Sequence, residues 1–141
     1  MGRINMTRVI LGGLVAGIVA NVIDAVTGMV FMKQDMLDML QRLNLDASAM
    51  DSMSGILPWV VVDLAYGFLL VLAYAGLRPR FGPGPLTALY AGFLLYAAVT
   101  ITLYGFMSMG LFTADMFVKS AGFAVISTAL ASLAGGAVYT E

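Results

Sequence analysis

The chain has the length of one ordinary domain, 141 residues, but 61% of it is hydrophobic, 11% is charged and its mean hydropathy is +0.96. This composition excludes a soluble protein and indicates one integral membrane domain over residues 1–141. The net charge of −1 argues against nucleic-acid binding, and the absence of Cys and His excludes disulfides, thiolate or imidazole metal sites and His-dependent catalysis.

Four apolar stretches are long enough to cross about 30 Å of hydrocarbon as helices. They are residues 9–32, 56–77, 86–110 and 116–139. We therefore predict an all-α bundle of four transmembrane helices, arranged as two helical hairpins. The first stretch is longer than the apolar region of a secretory signal, so we interpret it as a retained span.

The first span carries polar residues on a helix that is otherwise apolar. Gly13, Gly17, Asn21, Asp24 and Gly28 follow one another at intervals of three or four residues, which places them on one stripe of the helix. Small residues at this spacing let a second helix approach closely. We therefore predict that the stripe faces protein and that its three glycines are helix-packing positions.

The segment 33–55 between the first two spans is acidic and partly amphipathic. In QDMLDMLQRLNL the apolar residues share one helical face and the charged residues lie largely opposite, which predicts a short interfacial helix. Two interpretations remain open. The helix either rests on headgroups and covers the mouth of the bundle, or acts as a docking or gating element.

The second span carries Asp63 and, three residues later, Tyr66. Counted from the outer helix ends at about 1.5 Å per residue, Asp24 and Asp63 are expected at matching depths. Lys119 enters the fourth span from the same side. We therefore predict an intramembrane polar site that combines Asn21, Asp24, Asp63, Tyr66 and Lys119. The site is either a proton or cation site or a network that fixes helix register.

The link RPRFGPGP predicts a firm break between the second and third spans, because its prolines oppose helix continuation, beginning with Pro79. Arg78 and Arg80 are predicted to contact anionic lipid headgroups. Together with Arg3 and Arg8, they place the N-terminus, this link and the C-terminus in the cytoplasm by the positive-inside rule.

The last two spans carry polar or small residues at helical intervals. In the third span, Tyr96, Thr100 and Tyr104 either line a pathway or satisfy one another at helix interfaces and in the aromatic belt. In the fourth span, a ridge of small residues predicts helix packing, with Ala124, Thr128 and Gly135 as packing positions.

A resemblance adds to this interpretation. The opening RVILGGLVAGIVANV, the return WVVVDLAYGFLLVLAYAGLRPRFGPGPLTALYAG and the terminal ALASLAGGAVY resemble a family of small bacterial four-span membrane proteins. The resemblance covers most of the chain. It implies a multi-pass protein of the bacterial inner membrane and carries no activity with it.

These features favour a non-enzymatic protein that acts by lateral helix packing. It would be a structural or accessory subunit of a larger membrane complex, with respiratory and photosynthetic complexes as candidate hosts, or a homo-oligomer. The alternative is a small proton- or cation-coupled transporter or channel that uses Asp24 and Asp63. We assign no catalytic residue, metal or cofactor. The expected partners are the lipid bilayer and other membrane subunits or a second copy.

Overall fold

The computed structural model describes residues 4–140, apart from the side chain of residue 49; Arg3, used for the predicted orientation, lies outside this range. Within it the chain is helical and contains no strand. The elements in chain order are α1 (Met6–Val26), a π-helical turn (Thr27–Phe31), α2 (Lys33–Arg42), a 3-10 turn (Ala47–Ala49), α3 (Met53–Phe81), α4 (Pro85–Ser108) and α5 (Ala114–Val138).

Four of these helices are long and apolar enough to cross a membrane. They are α1 with its π turn, α3, α4 and α5, with mean hydropathies of 1.7 to 2.2. This confirms the predicted all-α bundle with four candidate spans and supports a multi-pass membrane protein. A short helix, α2, is also present in the acidic segment between the first two spans.

Side-chain caps start three of the spans. Asn5, Ser52 and Thr113 each accept a hydrogen bond from a backbone N–H in the first turn of α1, α3 and α5 respectively. The predicted break within RPRFGPGP is confirmed between Phe81 and Pro85, although α3 continues through Pro79 to Phe81. In the last turn of a helix a proline removes only one hydrogen bond. The helix ends instead at Gly82, whose φ of +80° favours glycine.

The closest helix contact joins α1 to α3 through glycines. A Cβ atom on Gly13 would lie 2.8 Å from Cα of Phe68, and one on Gly17 would lie 2.7 Å from Cα of Leu64. The order of these pairs shows that the two helices run antiparallel. α1 also packs extensively on α5, and α4 packs on α5 and α3. The small residues thus bring the backbones together inside the bundle.

The bundle is tightly packed along only half of its length. In the part that we call the closed half, buried residues occur on all four helices, within residues 9–20, 67–75, 87–92 and 127–136. In the other part, the open half, Met116 is the single buried residue within 21–31, 53–66, 93–108 and 114–126. The far end of the open half is called the open end below.

Aromatic rings and an arginine close the other end of the bundle. The rings of Tyr74 and Tyr139 meet edge to face at 5.9 Å, and the guanidinium of Arg78 lies over both, at 5.7 and 5.1 Å. Arg78 is therefore turned onto protein rings, whose faces attract its cation, and its headgroup contact stays a prediction. Arg80 is exposed, and its headgroup contact stays a prediction.

Candidate intramembrane polar site

The polar site begins where the closed half gives way to the open half. There Asn21 joins α1 to α3, because its side-chain amide donates to the carbonyl of Gly17 on its own helix, at 3.0 Å, and to that of Val60, at 3.3 Å. This single side chain fixes the register of the two helices at the boundary between the halves.

Asp24, one turn farther along α1, faces α5 rather than α3. The hydroxyl of Ser127, which is itself buried, lies close enough to interact with its carboxylate. The other flank of Asp24 is exposed at the surface of the open half. In a bilayer this flank borders hydrocarbon, where an ionised carboxylate is costly unless it is paired, protonated or hydrated.

Asp63 lies half-buried on α3, close enough to Asp24 for their charges to interact. The predicted match in depth is nevertheless wrong. Gly17 is the α1 residue level with Asp63, since a Cβ on Gly17 would lie 3.0 Å from the Asp63 carbonyl oxygen. Asp24 is seven residues beyond Gly17, so it lies roughly 10 Å nearer the open end at about 1.5 Å per residue.

The two carboxylates approach one another because of side-chain direction. Side chains on a helix tilt toward its N-terminus. In this antiparallel pair, that tilt carries Asp24 toward the closed half and Asp63 toward the open end. Two hydroxyl groups complete the polar site on the side of α5: those of Tyr66 and Thr128, which form a hydrogen bond at 3.2 Å. Tyr66 is also near enough to Asp24 to feel its charge.

Lys119 does not complete the predicted site. Its ammonium lies 2.7 Å from Asp115, one turn earlier on α5, and 3.1 Å from Asp35 on α2. Lys119 lies eight residues before Ser127 on α5 and is therefore nearer the open end, where acidic groups reach it first. The predicted partnership of Lys119 with Asp24 and Asp63 is therefore wrong.

The predicted packing residues divide into three groups. Gly13, Gly17, Thr128 and Gly135 are buried inside the bundle, and Ala124 is half-buried. Gly28 is different: a Cβ there would meet no atom within 4 Å, because the π turn carries this residue away from α3. The prediction that Gly28 packs against another helix is contradicted by this open surrounding.

The structure adds two residues that the sequence interpretation did not select. Ser127 lies next to the predicted packing ridge of the fourth span, and only its position relative to α1 assigns it to Asp24. Asp35 belonged to the polar face of a surface helix, and no pattern in the sequence connects it with Lys119.

On α4, the Thr100 hydroxyl is buried with no hydrogen-bond partner within the described residues, and Tyr104 meets the ring of Phe117 edge to face.

Comparison of this chain with protein-family models, with curated proteins and with solved structures finds no match.

Proposed function

We propose that this protein binds a proton or a small cation between Asp24 and Asp63 and carries it through the membrane. The proposal rests on one observation: two carboxylates from different spans lie near enough in the open half of the bundle for their charges to interact, and the hydroxyl of Ser127 lies beside Asp24. The geometry thus favours a proton or cation transporter or channel over a protein that acts by lateral helix packing.

The charge balance around the site supports this proposal. Lys119 is held by Asp35 and Asp115, so it is not available to neutralise the two carboxylates. A proton or a cation would lower the cost of holding these groups in hydrocarbon. Within residues 4–140 no three Asp, Glu, His or Cys side chains come together. A proton or monovalent ion suits such a site better than a multivalent metal, which prefers more carboxylate oxygens.

The closed half limits how transport would occur. The buried small residues of α1, α3 and α5 bring these helices into backbone contact past the site, so in this proposal an ion crosses when these helices separate. This favours an alternating-access transporter over a permanently open channel. In this proposal the bundle is two hairpins, both termini are cytoplasmic, the open half faces outward and α2 lies at the outer interface. Placement in a bacterial inner membrane follows from the family resemblance.

A flux measurement in liposomes tests the proposal. The wild-type protein should dissipate an imposed pH or cation gradient faster than protein-free liposomes. Asp24→Asn and Asp63→Asn should reduce the rate to that background. Asp38→Asn is the matched control, because Asp38 is an exposed acid on α2 that pairs with Gln34 outside the spans. The absence of flux with the wild type, or undiminished flux with Asp24→Asn, would contradict the proposal.

Lateral association with another subunit or a second copy stays the second candidate function. It would use surfaces other than the small-residue stripes that the sequence first suggested. The stripes of α1 and α5 are occupied within the bundle, whereas Gly105 and Gly122 have no neighbouring atom within 4 Å of a built Cβ. Gly122 also lies in a shallow apolar groove on the outside of α5. Another subunit or a second copy packing there would be lost in Gly122→Leu and kept in Gly76→Leu. Native gels from membranes in mild detergent would show the difference.

A further inference from the structure

Three contacts close the seam between α1 and α5 on the way from Asp24 to the open end. Nearest to Asp24, the rings of Phe31 and Phe123 stack at 5.1 Å. Next, the Ser120 hydroxyl donates to the buried sulfur of Met32 at 3.7 Å. Outermost is the Asp35–Lys119 ion pair at 3.1 Å. We call these three contacts the seam gate.

The segment of α1 that positions this gate has unusual backbone geometry. Thr27–Phe31 forms a π-helical turn, in which the N–H of Met32 donates to the carbonyl of Thr27 at 3.0 Å, five residues earlier. A π turn holds one residue more than the α-helix that it interrupts. If the turn relaxed to α geometry, everything after it would rotate by about 100°, the angle per residue of an α-helix.

Little else in the structure opposes such a rotation. Gly28, inside the turn, has open space around it, and the closest backbone neighbours of α2 are the π turn and the 3-10 turn rather than the spans. Apart from the seam gate, two exposed side chains attach α2 to the open end: Arg42 donates to the carbonyl of Leu111 at 3.1 Å, and Lys33 pairs with Asp51 at 3.4 Å. Side-chain contacts therefore hold α2 in place.

We propose that the π turn Thr27–Phe31 is the hinge of the seam gate, and that the gate controls the access of water and ions to Asp24 from the open end. This inference rests on the proposed function of Asp24. Rotation at the hinge separates Phe31 from Phe123 and Asp35 from Lys119 together, since Phe31 ends the turn and Met32 and Asp35 follow it. The exposed flank of Asp24 borders hydrocarbon, so the seam is its route to water.

A thiol-labelling experiment tests the gate without any transport measurement. The chain has no cysteine, so Ser127→Cys provides a single thiol beside Asp24. The protein in liposomes is treated with a charged, membrane-impermeant maleimide. Adding Asp35→Asn or Lys119→Gln should speed labelling by about two- to fivefold, the range for loss of one partly exposed ion pair. Asp115→Asn is the matched control, because it removes the other partner of Lys119 and leaves α2 attached.

Deletion of Gly28 tests the hinge. Removing one residue restores α-helical register. The thiol of this variant should be labelled fast, and adding Lys119→Gln should not increase the labelling rate further. An unchanged rate in Asp35→Asn, Lys119→Gln and the deletion would overturn the gate, and an equal increase in Asp115→Asn would overturn the role of α2. If the gate variants label faster while the wild type shows no flux, the gate stands and the proposed transport falls. Circular dichroism of each variant identifies any that fail to fold.

Discussion

The contact between Gly67 and α1 makes the packing of the closed half testable by one methyl group. A Cβ on Gly67 would lie 2.5 Å from the Gly13 carbonyl oxygen and 2.6 Å from Cα of Gly17. Carbon and oxygen atoms normally approach to about 3.3–3.6 Å. In Gly67→Ala the two helices must therefore separate by about 1 Å, and we expect the overpacking to cost about 1–3 kcal/mol.

Gly76→Ala is the matched control, because Gly76 lies on the same helix and a Cβ there would meet nothing within 4 Å. Both substitutions gain the helix preference of Ala over Gly, about 1 kcal/mol, so this gain cancels when the variants are compared. The free energy of unfolding should thus differ by about 1–3 kcal/mol between them. Equilibrium unfolding in mixed micelles, followed by circular dichroism, measures it. Equal stability of the two variants would refute the backbone contact between α1 and α3.

Three further predictions concern polar groups. Asn21→Leu should lower the free energy of unfolding by about 0.5–1.5 kcal/mol in the same assay, because it removes a hydrogen bond to the α3 backbone; an unchanged value would argue against that bond. Tyr66→Phe should cost about 0.6 kcal/mol through its lost bond to α5, and stability equal to wild type would contradict the pairing. Backbone and side-chain hydrogen bonds from Ser48 lower the pKa of Asp46, so this carboxylate stabilises the fold at neutral pH and loses that effect as the pH falls through its pKa. Ser48→Ala should raise the pKa of Asp46 part of the way toward its ordinary value, as NMR titration would show, whereas an unmoved pKa would exclude the hydroxyl as a cause.

The sequence predicted the spans well because hydropathy and length decide them. The apolar stretches placed most helix ends within three residues, and the stripe of Gly13 and Gly17 correctly indicated a close helix contact. Pro79 was misjudged because a proline weakens a helix by one hydrogen bond, and its position within the last turn decides whether the helix continues.

The polar site was harder to predict, since it depends on register between helices. The depths of Asp24 and Asp63 follow from which residues of α1 and α3 touch. A depth counted from the predicted helix end is already wrong by about a turn, because α3 begins three residues earlier than predicted. The pairing of Lys119 with Asp115 was visible as an interval of four residues. Its pairing with Asp35 depends on the direction of α2, which a π turn sets without any distinct sequence signal.

The contrast between the two halves has a consequence for mutational tolerance. Where Gly17 and Gly67 bring backbones together, almost any larger residue would be rejected, so the closed half should vary little among functional variants. Apart from the polar site and the seam gate, the walls of the open half carry exposed side chains and should tolerate change. A saturation library selected for membrane insertion should therefore divide along the helix axis, with intolerant positions at one end. New polar specificities would arise most readily at the other end, where substitution leaves the scaffold intact.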